Sequence, residues 1–167
     1  MENNNLYEIF QLLLQEYQDD IERKGRLQSK AIGYLTTLSI ILAVSVAVMI
    51  FSIKEVKYGS LIYVLLLLTF FAQFYFSLWT FFFSFRAYEK RKSYFPSAKD
   101  YIGSWNSPKD EFLGGINKTL MRCIKEHKKM LKDLLFNVEM CRLFLYISFT
   151  SFVIFCIIFL IFLLGGT

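Results

Sequence analysis

The sequence predicts an all-α, polytopic membrane protein: three transmembrane helices, an amphipathic N-terminal helix and a long cytoplasmic helix that continues into the third span. Its composition is 55% hydrophobic and 19% aromatic, whereas soluble domains are typically about 45–50% apolar. Only two of its 167 residues are proline. Three apolar runs, 31–53, 58–85 and 143–167, each exceed the roughly 20 residues with which a helix crosses the hydrocarbon of a bilayer.

These runs predict four segments and make the lipid bilayer the first expected partner. The segments are a cytoplasmic arm with a basic juxtamembrane end (1–30), a transmembrane hairpin (31–85), a cytoplasmic loop with a basic helix (86–142) and the third span (143–167).

The N-terminal segment is predicted to be amphipathic, because apolar residues recur in it at helical spacing. Its opposite face is acidic, and its first basic residue is Arg23. A basic cluster from Arg23 to Lys30 precedes the first span. The apolar face is expected to act as a gating arm, through Leu6, Ile9, Phe10, Leu13 and Tyr17.

The second span carries polar side chains although its composition is that of a lipid-embedded helix. Spacings of four, four, three and four place them on one helical stripe, Thr69, Gln73, Ser77, Thr80 and Ser84. Such a stripe is expected to avoid lipid. Two interpretations remain open: it lines a pore in an oligomer, or it joins helices by hydrogen bonds. Thr37, Ser45 and Ser52 form a weaker stripe in the first span.

The third helix has a predicted start at Ser107 as N-cap and Pro108 as first helical residue, with acids at Asp110 and Glu111. No breaker lies between Lys118 and Leu164, so the helix is expected to continue into the third span. An apolar stripe follows it: Leu113, Ile116, Leu120, Ile124, Leu131, Leu134, Leu135 and Val138. His127 lies within this stripe and is expected to form a hydrogen bond at a helix interface.

Basic residues on the same helix form a ridge with spacings of four, three, four and three: Lys118, Arg122, Lys125, Lys129 and Lys132, flanked by Lys128. This basic ridge is a candidate ligand site, which Arg86, Lys90 and Arg91 could complete. Two interpretations remain open: a solvated face beside anionic lipid headgroups, or a site for a phosphate-bearing ligand.

The distribution of basic residues predicts the orientation. Four precede the first span, two lie in 54–57, thirteen lie between Arg86 and Arg142, and none follows. The positive-inside rule therefore places the N-terminus and 86–142 in the cytoplasm and the C-terminus outside.

Enzyme chemistry is not predicted. The chain has one histidine and lacks a nucleophile elbow, a glycine-rich phosphate loop and metal-ligand pairs at recognised spacing. No catalytic residue, metal or cofactor is therefore expected. The three cysteines, Cys123, Cys141 and Cys156, are expected to be packing residues and not a disulfide framework.

The basic run IERKGRLQSKA before the first span, the short outer turn and the exit FRAYEKRK from the second span resemble small membrane effectors of bacterial anti-phage systems. The chain resembles the two-span SLATT group found beside nucleotide-signalling enzymes, and is similar to the tetrameric channel effector of the Hailong system. The resemblance implies a homo-oligomer, a tetramer, in the bacterial inner membrane. It also implies a nucleotide or oligonucleotide messenger, made by a partner nucleotidyltransferase, that opens a channel and depolarises the membrane.

A physical route to such gating is a hypothesis at this point. The acidic arm docks by charge and by its apolar face near the basic ridge and holds the pathway closed, and an anionic oligonucleotide competes for the same cations. Two other functions remain open: a non-conducting membrane scaffold or accessory subunit that docks a soluble partner, and a holin-like toxin that needs no ligand.

Overall fold

The computed structural model describes residues 2–55, 61–89 and 108–165, and every one of these except Pro108 is helical. The helices are α1 (Glu2–Glu55), α2 (Leu61–Glu89) and α3 (Lys109–Gly165). Each is long and apolar enough to cross a membrane. The predictions of an all-α fold and of three apolar helices of spanning length are therefore confirmed.

Both long helices are continuous. The arm and the first apolar run form one helix, α1, even though Gly25 and Gly33 lie inside it. A single glycine costs about 1 kcal/mol in a helix, which packing along so long an element offsets. The prediction that α3 runs without interruption into the third apolar run is also confirmed.

The start of α3 lies one residue later than predicted. The backbone N–H of Phe112 donates to Pro108 O at 3.0 Å, and the first helical residue is Lys109. Pro108 therefore precedes the helix, where its carbonyl accepts the first backbone hydrogen bond. The predicted N-cap, Ser107, lies outside the described residues.

The buried positions of α3 repeat with alternating spacings of four and three, the pattern of coiled-coil packing. They include Leu113, Asn117, Leu120, Ile124, His127, Leu131, Leu134, Val138, Cys141, Leu145 and Ser148. Most of the apolar residues predicted for this stripe are buried, while Ile116 and Leu135 are half-buried. Polar residues occupy several of the other buried positions in this repeat, which together form the seam of α3.

The chain divides into two compact units. A charged unit comprises Met1–Gln28 and Lys90–Leu135, and an apolar unit comprises Ser29–Glu89 and Phe136–Thr167. The described part of the charged unit is a helix pair, the start of α1 with the start of α3. The described part of the apolar unit contains the rest of α1 and α3 together with α2.

The core of the apolar unit has two clusters. One contains Met49, Leu66 and Phe155, and the other contains Leu38, Ile41 and Leu145. Because later residues of α1 meet later residues of α3, these two helices run parallel within the unit. Helix α2 is antiparallel to both, which sets its polar stripe against α1 and α3.

Candidate functional site

The polar stripe of α2 lies inside the apolar unit of a single chain. Gln73, Ser77, Thr80 and Ser84 are each 2% exposed or less, and Thr69 is half-buried. The stripe therefore faces the neighbouring helices of its own chain.

Three residues of the stripe form hydrogen bonds to another helix. Gln73 Nε2 donates to Ser45 Oγ on α1 at 2.6 Å. Ser77 Oγ and Ser148 Oγ of α3 are 2.9 Å apart, and Ser84 Oγ lies 2.8 Å from Cys141 Sγ. Hydroxyl and amide groups thus connect α2 to both neighbours, as small polar residues do between membrane helices.

The other two residues of the stripe satisfy their hydroxyls within α2. Thr80 Oγ1 donates to Phe76 O at 3.0 Å, and Thr69 Oγ1 donates to Leu65 O at 2.9 Å. Neither hydroxyl therefore needs water or a ligand as an acceptor.

One polar atom in the contact between α2 and its neighbours has no hydrogen-bond partner that the structure describes. Gln73 Oε1 is buried and has no hydrogen-bond partner among the described residues. Leaving such an acceptor unpaired typically costs about 1–3 kcal/mol. Gln73 therefore uses its side-chain N–H to contact α1, while its side-chain oxygen stays without a described hydrogen-bond donor.

This burial favours the helix-packing interpretation of the stripe. Pore lining stays a prediction, and it requires the helices of the unit to separate or rotate so that Gln73 and Ser77 reach water. The partners Ser148 and Cys141 were missed by sequence reasoning. The signal that could have found them is the coiled-coil repeat of α3, which continues past Val138 through both positions.

In the charged unit the N-terminal arm lies against α3. The ring of Tyr17 is 5.2 Å from the ring of fully buried His127. Nearer the start of both helices, Asn117 Nδ2 donates to Leu6 O at 3.3 Å. The earlier residue of the arm, Leu6, contacts the earlier residue of α3, Asn117, so the arm runs parallel to α3. His127 occupies a helix interface, as predicted.

The arm residues predicted to dock differ in burial. Tyr17 is buried, and Leu6, Phe10 and Leu13 are half-buried. Ile9 is 39% exposed and lies outside the docked face. Ile9 follows the apolar periodicity of the arm, but the face of the arm that packs on α3 covers a smaller part of the helix surface than this periodicity predicts.

An ion pair joins the two helices of the charged unit. Lys128 Nζ donates to Glu16 Oε1. This hydrogen bond and the negative charge of Glu16 raise the pKa of Lys128 above its ordinary value, and Asp20 contributes further. The predicted attraction between the acidic arm and the basic helix therefore acts through Lys128, beside the basic ridge.

Two further charged residues lie in the seam of the arm. Asp20 and Lys24 are both buried, and burial lowers the pKa of Lys24 because it disfavours the ammonium form. The arm thus docks through a partly charged surface, which makes its attachment sensitive to competing charges.

The five residues of the basic ridge remain exposed. None of them forms an ion pair with any residue that the structure describes. Arg86 belongs to the apolar unit, where its guanidinium carbon lies 5.3 Å from the centre of the Phe82 ring. Lys90 and Arg91 lie outside the described residues.

A cleft of about 320 Å³ opens between the arm and α3, beside the ion pair. It is lined by Leu13, Glu16, Met121, Ile124, Lys125 and Lys128. Its walls combine apolar side chains with two ammonium groups and the Glu16 carboxylate, which pairs with Lys128, so an anion with an apolar part fits here by displacing Glu16. Within the described ranges, no three histidine, cysteine or acidic side chains form a metal-binding group.

No family model, curated protein or solved structure matches the chain.

Proposed function

We propose that the chain forms a homo-oligomeric ion channel of the bacterial inner membrane, closed by the docked N-terminal arm and opened from the cytoplasm by an anionic nucleotide ligand. The observation that carries the proposal is the Glu16–Lys128 ion pair beside an exposed basic ridge. An anion can compete for such a contact, because charge holds the arm in part and exposed cations lie beside it.

The chemistry of the ion pair supports such competition. Each internal phosphodiester of an oligonucleotide carries one charge, whereas a terminal phosphate monoester carries about −1.5 to −2 charge and three acceptor oxygens, more than a carboxylate. Such a terminal phosphate can therefore replace Glu16 as the partner of Lys128 and contact Lys125 across the cleft. The five cations of the ridge attract a polyanion toward this position.

The length of α3 favours a soluble anion over lipid headgroups as the partner of the ridge. At about 1.5 Å per residue, roughly 16 Å of helix separates Lys132 from Leu143, where the third span is predicted to begin. For Lys118 the separation along the helix is roughly 37 Å. Charges beyond a Debye length of about 8 Å are largely screened at physiological salt.

In this proposal the described arrangement is the closed state. The polar stripe of α2 is hydrogen-bonded inside its own chain, and opening turns Gln73, Ser77 and Thr80 toward a water-filled path between copies. Moving such an equilibrium from 1:99 to 99:1 requires a ligand that favours the open state by about 5.5 kcal/mol. Because the ridge is exposed in this closed state as well, the difference comes from the contact with Lys128, which Glu16 occupies in every copy until the ligand displaces it.

The biological role in this proposal follows the resemblance to anti-phage effectors. A partner nucleotidyltransferase makes the messenger on infection, and the open channel depolarises the inner membrane and halts growth. A depolarising pore needs no catalytic residue in this chain.

The first test is ion flux through proteoliposomes, measured with and without defined oligonucleotides. We expect flux in the wild-type protein only when an oligonucleotide is present. Lys128→Met should raise the ligand-free flux by up to about fivefold, because it removes an exposed interhelical ion pair, and exposed pairs are individually weak. Arg26→Met is the matched control, since the pair of Arg26 with Glu22 at 3.6 Å lies within α1. Folded, inserted protein that conducts under none of these conditions would overturn the proposal.

A second candidate is a non-conducting scaffold, and the burial of the α2 stripe favours it. In a scaffold the bonds of Gln73 and Ser77 hold the bundle together, and the exposed ridge docks an acidic partner protein. Ser77→Ala then changes only the stability of the bundle. In a channel, the same substitution changes the conductance of the open state.

A further inference from the structure

Two charged stripes face away from the contact between the arm and α3. The first is an acidic stripe on the arm, with spacings of four, three, four and three: Glu8, Leu12, Gln15, Asp19 and Glu22. The second is the basic ridge of α3, which has the same spacings and the same length. At about 1.5 Å per residue each stripe is roughly 21 Å long.

All ten residues of the two stripes are exposed, and Leu12 is 67% exposed. Glu8 and Asp19 form no ion pair with a described residue, and Glu22 pairs only with Arg26 of the same helix, at 3.6 Å. The charges of both stripes are therefore available to a partner.

The two stripes also lie at the same level along the helix pair. Asn117 contacts Leu6, a separation of 111 residues, and His127 contacts Tyr17, a separation of about 110. Each member of the acidic stripe is likewise about 110 residues from its counterpart in the ridge, Glu8 from Lys118 and Asp19 from Lys129. Parallel packing therefore places counterparts at matching heights.

The stripes do not meet within one chain. The arm contacts α3 through its buried residues, among them Tyr17 and Asp20, while Asp19 on a different side of the helix is exposed. On α3, His127 is buried in the contact and Lys129 is exposed. Each helix pair thus presents an acidic surface on one member and a basic surface on the other.

We propose that a second copy of the chain fills both surfaces: the acidic stripe of one copy packs on the basic ridge of its neighbour, and the contact repeats around a closed ring. Contacts between two different surfaces generate rings when the rotation closes. A symmetry axis parallel to the helices keeps each residue at one height in every copy. Glu8 then meets Lys118, Asp19 meets Lys129, and Glu22 meets Lys132 of the neighbouring copy.

The middle of the interface is apolar as well as charged. Leu12 lies at the level of Arg122, whose aliphatic stem can cover it while the guanidinium stays in water. Exposed ion pairs are individually weak, but copies held in one membrane meet at high effective concentration. The inference rests on the proposed function only in assuming several copies, and it does not depend on conduction.

Binding and assembly are then linked. An anionic ligand on the ridge displaces the neighbour's acidic stripe, so the cations that hold the ring are also those that detect the ligand. Lys118, Lys129 and Lys132, which pair with acids in the ring, cannot pair with the neighbour and the ligand at once.

The test is cross-linking between copies in isolated membranes. Two differently tagged copies are expressed together, one with Asp19→Cys and the other with Lys129→Cys, both with Cys123, Cys141 and Cys156 changed to alanine. A disulfide needs Cα atoms within about 7 Å, so oxidation should give a mixed-tag dimer at least about tenfold above a Gln18→Cys and Lys129→Cys control. Gln18 is exposed one residue before Asp19, on another side of α1.

A dimer yield equal to that of the control, or no dimer at all, would overturn the interface. A second measurement keeps the native cysteines: Lys129→Glu should lower the oligomer fraction on native mass spectrometry, and mixing with Asp19→Lys copies should restore it. Oligomer that forms equally well in all of these variants would also overturn it. Neither readout uses flux, so a failed channel proposal would leave both results standing.

Discussion

At the scale of single residues, Gln73 has an unusual position, because it is 1% exposed and only half satisfied. Its amide donates to Ser45, but its Oε1 lacks a partner among the described residues. Ser45 Oγ also donates to Ile41 O at 2.7 Å, so the serine keeps a hydrogen bond without the glutamine. The polar character of Gln73 is therefore not required by its neighbour.

Gln73→Leu should leave the unfolding free energy in detergent unchanged or raise it by about 1 kcal/mol, since it removes an unpaired buried acceptor. Ser77→Ala is the comparison, because it removes a bond to Ser148 and should cost about 0.6 kcal/mol. Titration with a denaturing detergent measures both. A loss above about 2 kcal/mol for Gln73→Leu would mean that Oε1 has a partner such as buried water.

Lys128 has a pH dependence with a defined sign. Its pKa in the folded protein is raised above the ordinary value of 10.5, first by the hydrogen bond to Glu16. A raised lysine pKa contributes stability that is fully present below the unfolded value and is lost as the pH rises through the folded value. Arm docking through Lys128 is therefore complete at neutral pH and weakens under strongly alkaline conditions.

Wild type should consequently be more stable to heat than Lys128→Met at about pH 8. The difference should shrink as the pH rises above the ordinary lysine pKa of 10.5 and through the raised pKa of Lys128. The exposed Lys129 has no ion pair to a described residue, so Lys129→Met in monomeric detergent preparations provides the control. A difference that persists unchanged at alkaline pH would assign the effect of Lys128 to packing instead of charge.

At the scale of elements, the docked arm depends on a narrow seam. Tyr17 is buried against His127, whereas its neighbour Gln18 is exposed. Tyr17→Ala should release the arm, because truncating a buried aromatic side chain typically costs about 3–5 kcal/mol.

Hydrogen exchange measures this release directly. Amides of residues 5–20 should exchange faster in Tyr17→Ala, while those of the apolar unit keep their protection. Gln18→Ala, which truncates an exposed side chain of the same helix, should exchange like wild type. Equal protection of the arm in Tyr17→Ala and wild type would show that other seam contacts suffice.

The elements were largely predictable from sequence because apolar periodicity and length determine them. The runs around Ile41, Leu66 and Phe155 predicted the three apolar helices. The polar members of the seams were less predictable, because Asn117 and Ser148 interrupt the apolar period that a hydrophobic pattern detects. The spacing of the repeat places both on the buried side of α3, but it does not give the group that faces each of them, Leu6 O for Asn117 and Ser77 for Ser148.

At the scale of the whole molecule, sequence reasoning predicted that the acidic arm binds the basic helix, but not which surfaces meet. The arm uses Glu16 and Tyr17 as its contact and leaves Glu8 and Asp19 exposed. The opposite charges of the arm and α3 predict that these two helices pair. The buried residues, such as Tyr17 and His127, determine which side of each helix lies in the contact. A contact of this kind holds the arm and leaves the ridge open to other anions.

Removing the arm tests whether it is the closing element. A chain lacking residues 2–22 loses the Glu16–Lys128 ion pair and the Tyr17–His127 contact, while α2 and the apolar part of α1 keep their packing. It should conduct ions in proteoliposomes without ligand and arrest growth on expression. Full-length Gln18→Ala is the control, because it truncates an exposed side chain of the arm that lies outside the contact with α3 and outside the acidic stripe. A truncated protein that is folded, inserted and tight to ions would remove the arm from the gating mechanism and favour the scaffold, since a scaffold has no pathway for the arm to close.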